Sequence, residues 1–483
     1  MVEGRGTDGK RIAALLASEL TGLALGPLED IEVVDADPDL TLTGPADTLT
    51  GLITGGIDPV QGFMQQQYEL DGSVQKGTQL ASVMGEITDN VPTHSHSYRT
   101  LMIEQISVER LADWIDAGKQ FSLIDTRPAD SFDAWHIENA NNIPYDPREG
   151  VDENQLTQVR RMVDGRPVVA ICGKGLTSTP FGFELDENGF DDVTVVSGGM
   201  QAWSKLYEVV PIETTQEDLV VFQLQRRAKG CLGYVIGSSR TDEAAVIDAT
   251  RQTDQFKVVA QEAGFTIEHV LDTHVHADHI SGSPRLAVEV DAPYYLGAGA
   301  SVRDVVYDYE PLSEGDSIEV GGIEIEALHA PGHTSEMLNY LVGDELLLTG
   351  DTLFVDSVGR TELQFGDEEA ADGAELLYET LHETIFELPD EIEILPGHLS
   401  VTSDGRYENG SPGEPLTARL GDLRQQLDVL QLEKDDFVDR LTENIPEKPP
   451  NYETVIAINT GRKTVEDEKE ATELELGPNN CAA

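Results

Sequence analysis

Apolar residues recur in short runs separated by glycine, proline and acidic turns, and the character of the runs changes along the chain. Between residues 121 and 199, "FSLIDTR", "RPVVAIC" and "VTVVSGG" are compact apolar runs, each closed by a turn signal. Helical patterns over Val108–Ala117 and Pro180–Asn188 lie among them. Strands that alternate with helices predict a parallel sheet covered on both faces. Further on, "GCLGYVIG", "EAAVIDA", "IEHVLDTH", "IEIEALHAPGH" and "ELLLTGD" read as a second set of strands, with a helix over Gln255–Ala263. Near the start, Ala46–Thr54 patterns as a helix with Leu49, Leu52 and Ile53 on one side, and Lys76–Met84 as a second. Near the end, Leu416–Leu432 and Asp435–Glu443 are helical, "EKPPNYETV" is a bend, and Lys463–Glu475 is a charge run expected to be solvated.

Four blocks follow: 1–97, 98–212, 213–407 and 408–483, the last a helical extension with an acidic tail. A length of 483 residues suits about three domains at ~150 residues each. "THSHSY" closes the first block as a polar linker, and its His94 and His96 read as solvated.

Charge narrows the partners. Asp and Glu number 90 against 32 Lys and Arg, for a net charge of −58. Such a surface repels nucleic acid and anionic membranes, so neither is an expected partner. Only 11 of the basic residues are lysine. Spread acid with scarce lysine suits a halophile's cytosol, where the screening length falls to ~3 Å at 1 M salt. Three cysteines, Cys172, Cys231 and Cys481, make no disulfide framework and point to a reducing, cytoplasmic location. No apolar run reaches the ~20 residues a membrane span needs.

The strongest chemical signal is "THVHADH", Thr273–His279, which sets three His and one Asp behind an apolar strand. Imidazole and carboxylate both bind divalent metals, and alternation sends His274 and His276 the same way from an extended segment. Asp278 and His279 follow. His333 in "APGHTS", Asp351 in "LLLTGDTLF" and His398 in "ILPGHLS" each lie at or beside a glycine after an apolar run, where the chain turns sharply. Packing does not explain so many potential ligands in this pattern.

These motifs resemble the metallo-β-lactamase superfamily over nearly all of 213–407. The resemblance implies an αββα sandwich with a metal site at one edge of the two sheets. In its binuclear hydrolases, His274, His276 and His333 would hold one ion and Asp278, His279 and His398 the other, with Asp351 bridging two Zn. In the persulfide dioxygenases, which use the same scaffold, His274, His333 and Asp351 would hold a single Fe(II), one per chain. "DTLFVDSVGRTEL" resembles the segment of that subgroup in which a "GRTD"-like turn follows the ligand Asp. Arg360 would then bind a substrate carboxylate. Glu362 stands where that subgroup often has Asp.

Cys172 opens the loop "CGKGLTST" between a strand and a helix. Backbone N–H groups freed by Gly173 and Gly175, the helix N-terminus and the Lys174 cation would all favour a thiolate. The whole second block resembles a rhodanese domain, through "LIDTRPADSFDAWHIENANNIP" and "SGGMQAW". This implies that Cys172 carries sulfane sulfur as a persulfide. Ala134 and Trp135 replace the usual Gly before His136, and Ser178 stands where many relatives have Arg. The stretch Leu40–Met84 resembles the back half of an SCP2-like (sterol carrier) α+β domain with an apolar tunnel. Cys231 reads as a packed core residue and Cys481 as an exposed bystander.

The expected molecule is multidomain: an SCP2-like α+β segment, a rhodanese α/β parallel-sheet domain and a metallo-β-lactamase sandwich. Its expected chemistry is oxidation of a low-molecular-weight thiol persulfide to sulfite by O₂, with Cys172 and Asp278 in catalytic roles. A binuclear zinc thioester hydrolase of the glyoxalase II type and a non-enzymatic sulfur-carrier scaffold are the alternatives. Room is left for self-association into a homo-oligomer and for an apolar ligand in the first block.

Overall fold

The computed structural model describes residues 103–366, 369–443, 445, 448 and 451–478, with three short backbone segments before them, Val2–Glu3, Leu40–Thr43 and Glu69–Gly72. Leu40–Thr43 and Glu69–Gly72 pair antiparallel. The remainder of Leu40–Met84, the stretch expected to be SCP2-like, the linker histidines His94 and His96, and Cys481 lie outside the described residues.

The described chain divides into two compact units. In the first, strands β1 (Glu104–Ile106), β2 (Ser122–Asp125), β3 (Asn141–Asn142), β4 (Val168–Ile171) and β5 (Val193–Val196) form an all-parallel sheet in the order β1-β5-β4-β2-β3. β2, β4 and β5 are buried at every position, as expected for a sheet covered on both faces. Ile124, Ala170 and Val195 pack against Phe181 and Leu185 of the helix Ser178–Glu187 and Leu156 and Val159 of the helix Glu153–Val163. Central β4 delivers Cys172 at its C-terminal end.

The second unit is built on two facing sheets. The first comprises β6 (Tyr207–Ile212), β7 (Leu219–Arg226), β8 (Leu232–Ser238), β9 (Glu243–Ile247), β10 (Thr266–Leu271), β11 (Tyr294–Gly297) and β12 (Glu310–Leu312), ordered β12-β11-β10-β9-β8-β7-β6. The other comprises β13 (Ser317–Val320), β14 (Ile323–His329), β15 (Leu338–Val342), β16 (Leu346–Gly350), β17 (Glu393–Pro396) and β18 (Ala418–Arg419), in sequence order. Tyr234, Ile236 and Ile247 of the first sheet meet Ile325, Tyr340, Leu348 and Leu395 of the second in one core. The alternate residues point outward: Val235 and Val246 pack on Phe256 and Leu286 of the helices Thr253–Ala263 and Ser283–Val290. Leu341, Leu347 and Ile394 pack on Leu377, Leu420 and Phe437 of three other helices. Two-residue periodicity thus buries both faces of each sheet and yields the αββα layering.

Two boundaries differ from the expectation. Tyr207–Ile212, read as the end of the second block, hydrogen-bonds along β7 as the edge of the seven-stranded sheet. Residues beyond 407 are not a mere extension: β18 completes the six-stranded sheet. Glu475, at the end of the supposedly solvated charge run, is 1% exposed. Buried guanidinium groups of Arg226 and Arg251 draw its carboxylate in.

Candidate metal centre and sulfur-transfer loop

The potential ligands sit at one edge of the sandwich, just past the ends of β10, β16 and β17 and in the β14–β15 connection. Each strand carries its polar residue out of the apolar core as the chain turns. Gly350 closes β16 with a φ of +48°, a left-handed turn that favours glycine; a Cβ there would stand 2.7 Å from Thr273 Oγ1.

His274, His333 and Asp351 converge, with their ligand atoms all within 4.8 Å of one another. The Nε2 atoms of His274 and His333 lie 3.8 and 3.5 Å from Asp351 Oδ2. Their far ends are tied. His274 Nδ1 is 2.9 Å from Thr273 Oγ1, and His333 Nδ1 donates to the Arg360 carbonyl at 2.6 Å. Asp351 Oδ1 accepts from His398 Nδ1 at 2.6 Å. All three side chains are buried, yet His274 Nε2 and Asp351 Oδ2 have no hydrogen-bond partner. Buried polar atoms are nearly always satisfied, so orphaned atoms converging on one point fit a cation. Burial, then the neighbouring His276 and His333, holds the His274 pKa well below the usual imidazole range, leaving a neutral ring with a free lone pair. Burial pushes Asp351 upward, but the His398 charge and hydrogen bond outweigh it and keep the carboxylate ionised.

His276 belongs to a different group. Its Nε2 faces Asp248 Oδ1 at 3.3 Å and Asp272 Oδ1 at 3.9 Å. Against the effect of burial, those two carboxylates raise its pKa well above the usual range. Both of its ring nitrogens are nonetheless without a hydrogen-bond partner, and its ring centroid lies 4.2 Å from that of His274. Asp278, His279 and His398 form a third group. Asp278 Oδ1 is 2.9 Å from His279 Nδ1 and its Oδ2 is 3.0 Å from His398 Nε2.

Cys231 joins that third group, which the sequence did not reveal. Its thiol donates to Asp278 Oδ2 at 3.4 Å. Burial raises its pKa, but the His279 cation and hydrogen bonds from His279 and His398 bring it down to about 7. The only trace in the sequence is that Cys231 immediately precedes the strand β8, Leu232–Ser238. Its closeness to His398 comes from an isolated antiparallel bridge between the two residues.

Arg360 is buried, and its guanidinium pairs with Glu362. The cation read as a substrate contact thus has a carboxylate of its own chain beside it. The ligand loop is also held by carboxylates with no motif around them. Asp248 Oδ1 accepts from Thr273 N at 2.7 Å and Glu336 Oε1 from Val275 N at 3.0 Å.

In the parallel-sheet unit, Cys172 is 2% exposed. Burial would raise its pKa. The Ser178 and Thr177 hydroxyls and the backbone N–H groups of Ser178 and Lys174 outweigh it and lower the pKa. Ser178 Oγ itself is buried with no hydrogen-bond partner. Lys174 therefore acts on the sulfur through its main chain. Gly173 and Gly175 shape the loop, and Gly175 lies against the backbone of Gly198 and Gly199. A Cβ on Gly199 would fall 2.1 Å from the Cys172 carbonyl oxygen. Asp125 and Arg127, from the "IDTR" strand end, pair with one another: Arg127 Nε and Nη2 reach Asp125 Oδ2 at 2.9 and 2.7 Å.

Comparison with known proteins identifies both domains. Residues 107–206 match the rhodanese-like domain and residues 226–398 the metallo-beta-lactamase superfamily. Residues 1–50 match a family of unknown function, DUF7993. The mitochondrial persulfide dioxygenase ETHE1 of Bos taurus is 30% identical over 210 residues, covering 43% of this chain and 79% of that protein. The probable metallo-hydrolase YqgX of Bacillus subtilis (strain 168) is 30% identical over 176 residues, covering 32% of this chain and 80% of its own length. The crystal structure of ETHE1 from Myxococcus xanthus is 27% identical, with a TM-score of 0.43 over 50% of this chain and 98% of that one.

Proposed function

Because the chain belongs to the metallo-beta-lactamase superfamily, as a relative of the ETHE1 persulfide dioxygenases with a rhodanese-like domain ahead of that fold, we propose that it oxidises a low-molecular-weight thiol persulfide to sulfite with O₂. The overall change takes RSSH, O₂ and water to RSH, sulfite and two protons; sulfane sulfur gives up four electrons and O₂ accepts them. The observation that carries this reading is the trio of inward-facing atoms, His274 Nε2, His333 Nε2 and Asp351 Oδ2. Two imidazoles and one carboxylate would hold a single Fe(II), which supplies the redox chemistry and leaves positions where O₂ and sulfur can meet.

The chain's own groups do the rest. Thr273, the Arg360 carbonyl and His398 fix the far end of each ligand, so its lone pair has one direction. Arg360 binds the carboxylate of the thiol carrier in exchange for Glu362. Asp278 stays ionised because His279 and His398 outweigh the effect of burial, and its two carboxylate oxygens hold those two rings in place beside the centre. Cys172 either passes sulfane sulfur to the thiol before oxidation or passes it to sulfite, in which case thiosulfate and the free Cys172 thiolate result. Protein loaded anaerobically with iron and placed in an oxygen electrode with a thiol persulfide should consume one O₂ per persulfide and release sulfite. No oxygen uptake refutes the reading.

A second reading, a zinc thioester hydrolase, draws on the group Cys231, Asp278, His279 and His398, which offers ligands for another ion. Metal stoichiometry separates the two: one iron or two zinc per chain.

A further inference from the structure

The loop from His274 to Ser281 carries four of the potential ligands, yet it belongs to neither a helix nor a strand. Its buried backbone groups need partners from elsewhere: Glu336 takes Val275 N, and four further bonds come from nearly 200 residues downstream. Asn459 is the last residue of the helix Tyr452–Asn459. Its Nδ2 donates to the carbonyl of His276 at 2.9 Å and to that of His279 at 2.7 Å. Its Oδ1 accepts from Ser281 N at 2.9 Å. Every one of these bonds runs to the ligand loop, and none supports the residue's own helix. The orientation is unique, because exchanging the amide O and N would turn all three attractions into repulsions. Next to it, Glu475 Oε1 accepts from Ile280 N at 2.8 Å. The end of the helix is itself anchored: the Asn459 carbonyl accepts from Tyr307 Oη at 2.6 Å, and the Thr460 carbonyl from Val306 N at 3.0 Å.

We propose that Asn459 is a positioning residue of the metal centre. Its carboxamide fixes the spacing between the His276 and His279 carbonyls, and through that spacing the aim of the side chains from His274 to His279. The inference rests on the reading of this loop as the bearer of metal ligands. Backbone bonds of this kind act on a ligand as hydrogen bonds to its far nitrogen do, by restricting the directions it can take. A carboxylate at 459 would face two carbonyl oxygens with no donor between them, although its shape matches the amide.

The test uses the full chain and Co(II) as a spectroscopic probe. Wild type, Asn459→Asp, Asn459→Ala and a control, Tyr307→Phe, are titrated for Co(II) affinity and compared by visible absorption. Melting of the metal-free protein and sulfur transfer at Cys172 report folding. The two Asn459 variants should keep a cooperative metal-free transition and Cys172 activity, bind Co(II) roughly 10–100-fold more weakly, and show shifted d–d bands. Tyr307→Phe, which removes a bond to the helix and none to the loop, should bind Co(II) as wild type does. Unchanged affinity and spectrum in both Asn459 variants overturns the proposal. So does loss of the metal-free transition, which would make Asn459 a folding residue only. Should wild type itself bind no Co(II), the metal-centre reading fails first, a result distinct from either.

Discussion

Asp351 is the most exacting position in the candidate centre, since one carboxylate oxygen faces two imidazoles and the other is held by His398. Asp351→Asn should reduce bound metal to background while leaving Cys172 sulfur transfer intact; elemental analysis and a sulfurtransferase assay check both. Glu475 gives a pH-dependent test. Burial pushes its pKa upward, but Arg226 and Arg251 pull harder and bring it from 4.5 down to about 2. A depressed carboxylate stabilises the fold at pH values above its unfolded pKa, and that stability drains away as the pH falls from about 4.5 toward about 2. The shift corresponds to on the order of 3 kcal/mol. Glu475→Gln should lower the melting temperature at neutral pH and flatten the acid limb of the stability curve. An acid limb identical to wild type would contradict that assignment. At this scale the candidate ligands are legible because His and Asp crowd beside glycines. Cys231, Asn459 and Glu475 were not, since each owes its role to a partner 40 or more residues away, and nothing in its own segment marks it.

Among the elements, the strands supply direction and the turns supply position. Gly350 is where the two meet: its left-handed turn ends β16, and its bare Cα lets Thr273 approach, whose hydroxyl holds both His274 and Asp248. Gly350→Ala adds a left-handed alanine, worth about 1–2 kcal/mol, and pushes on Thr273. It should therefore lower stability and weaken metal binding together, measured by denaturation and by titration; a loss of stability with metal affinity unchanged would separate the turn from the site. Compact apolar runs made the buried strands readable, because apolar side chains fill both faces of these sheets. Chain ends were less readable. Tyr207–Ile212 was read with the preceding block, as no composition change separates it from what comes before. Lys463–Glu475 looks solvated in sequence because its charges outnumber its apolar residues, and the sequence does not display the two arginines that bury its last member.

For the molecule as a whole, the net charge of −58 is the dominant physical fact. Raising salt from about 0.1 M to about 1 M shortens the screening length from ~10 Å to ~3 Å. Self-repulsion should fall, and the melting temperature should rise with KCl; a melting temperature that is flat or falling with salt would count against adaptation to a saline interior. On the proposed function, tethering the rhodanese-like domain to the oxidising domain would keep a labile intermediate at an effective concentration of ~mM for short flexible linkers. Cys172→Ser should accordingly retain oxygen uptake when persulfide is supplied and lose the coupled transfer of sulfur, read by thiosulfate formation. Beneath all of these lies the claim of one redox-active ion held by two imidazoles and a carboxylate. It is tested most directly by counting metals per chain in protein purified without oxygen. One iron per chain, lost in Asp351→Asn, is the expected result, and two zinc per chain with no iron would contradict it.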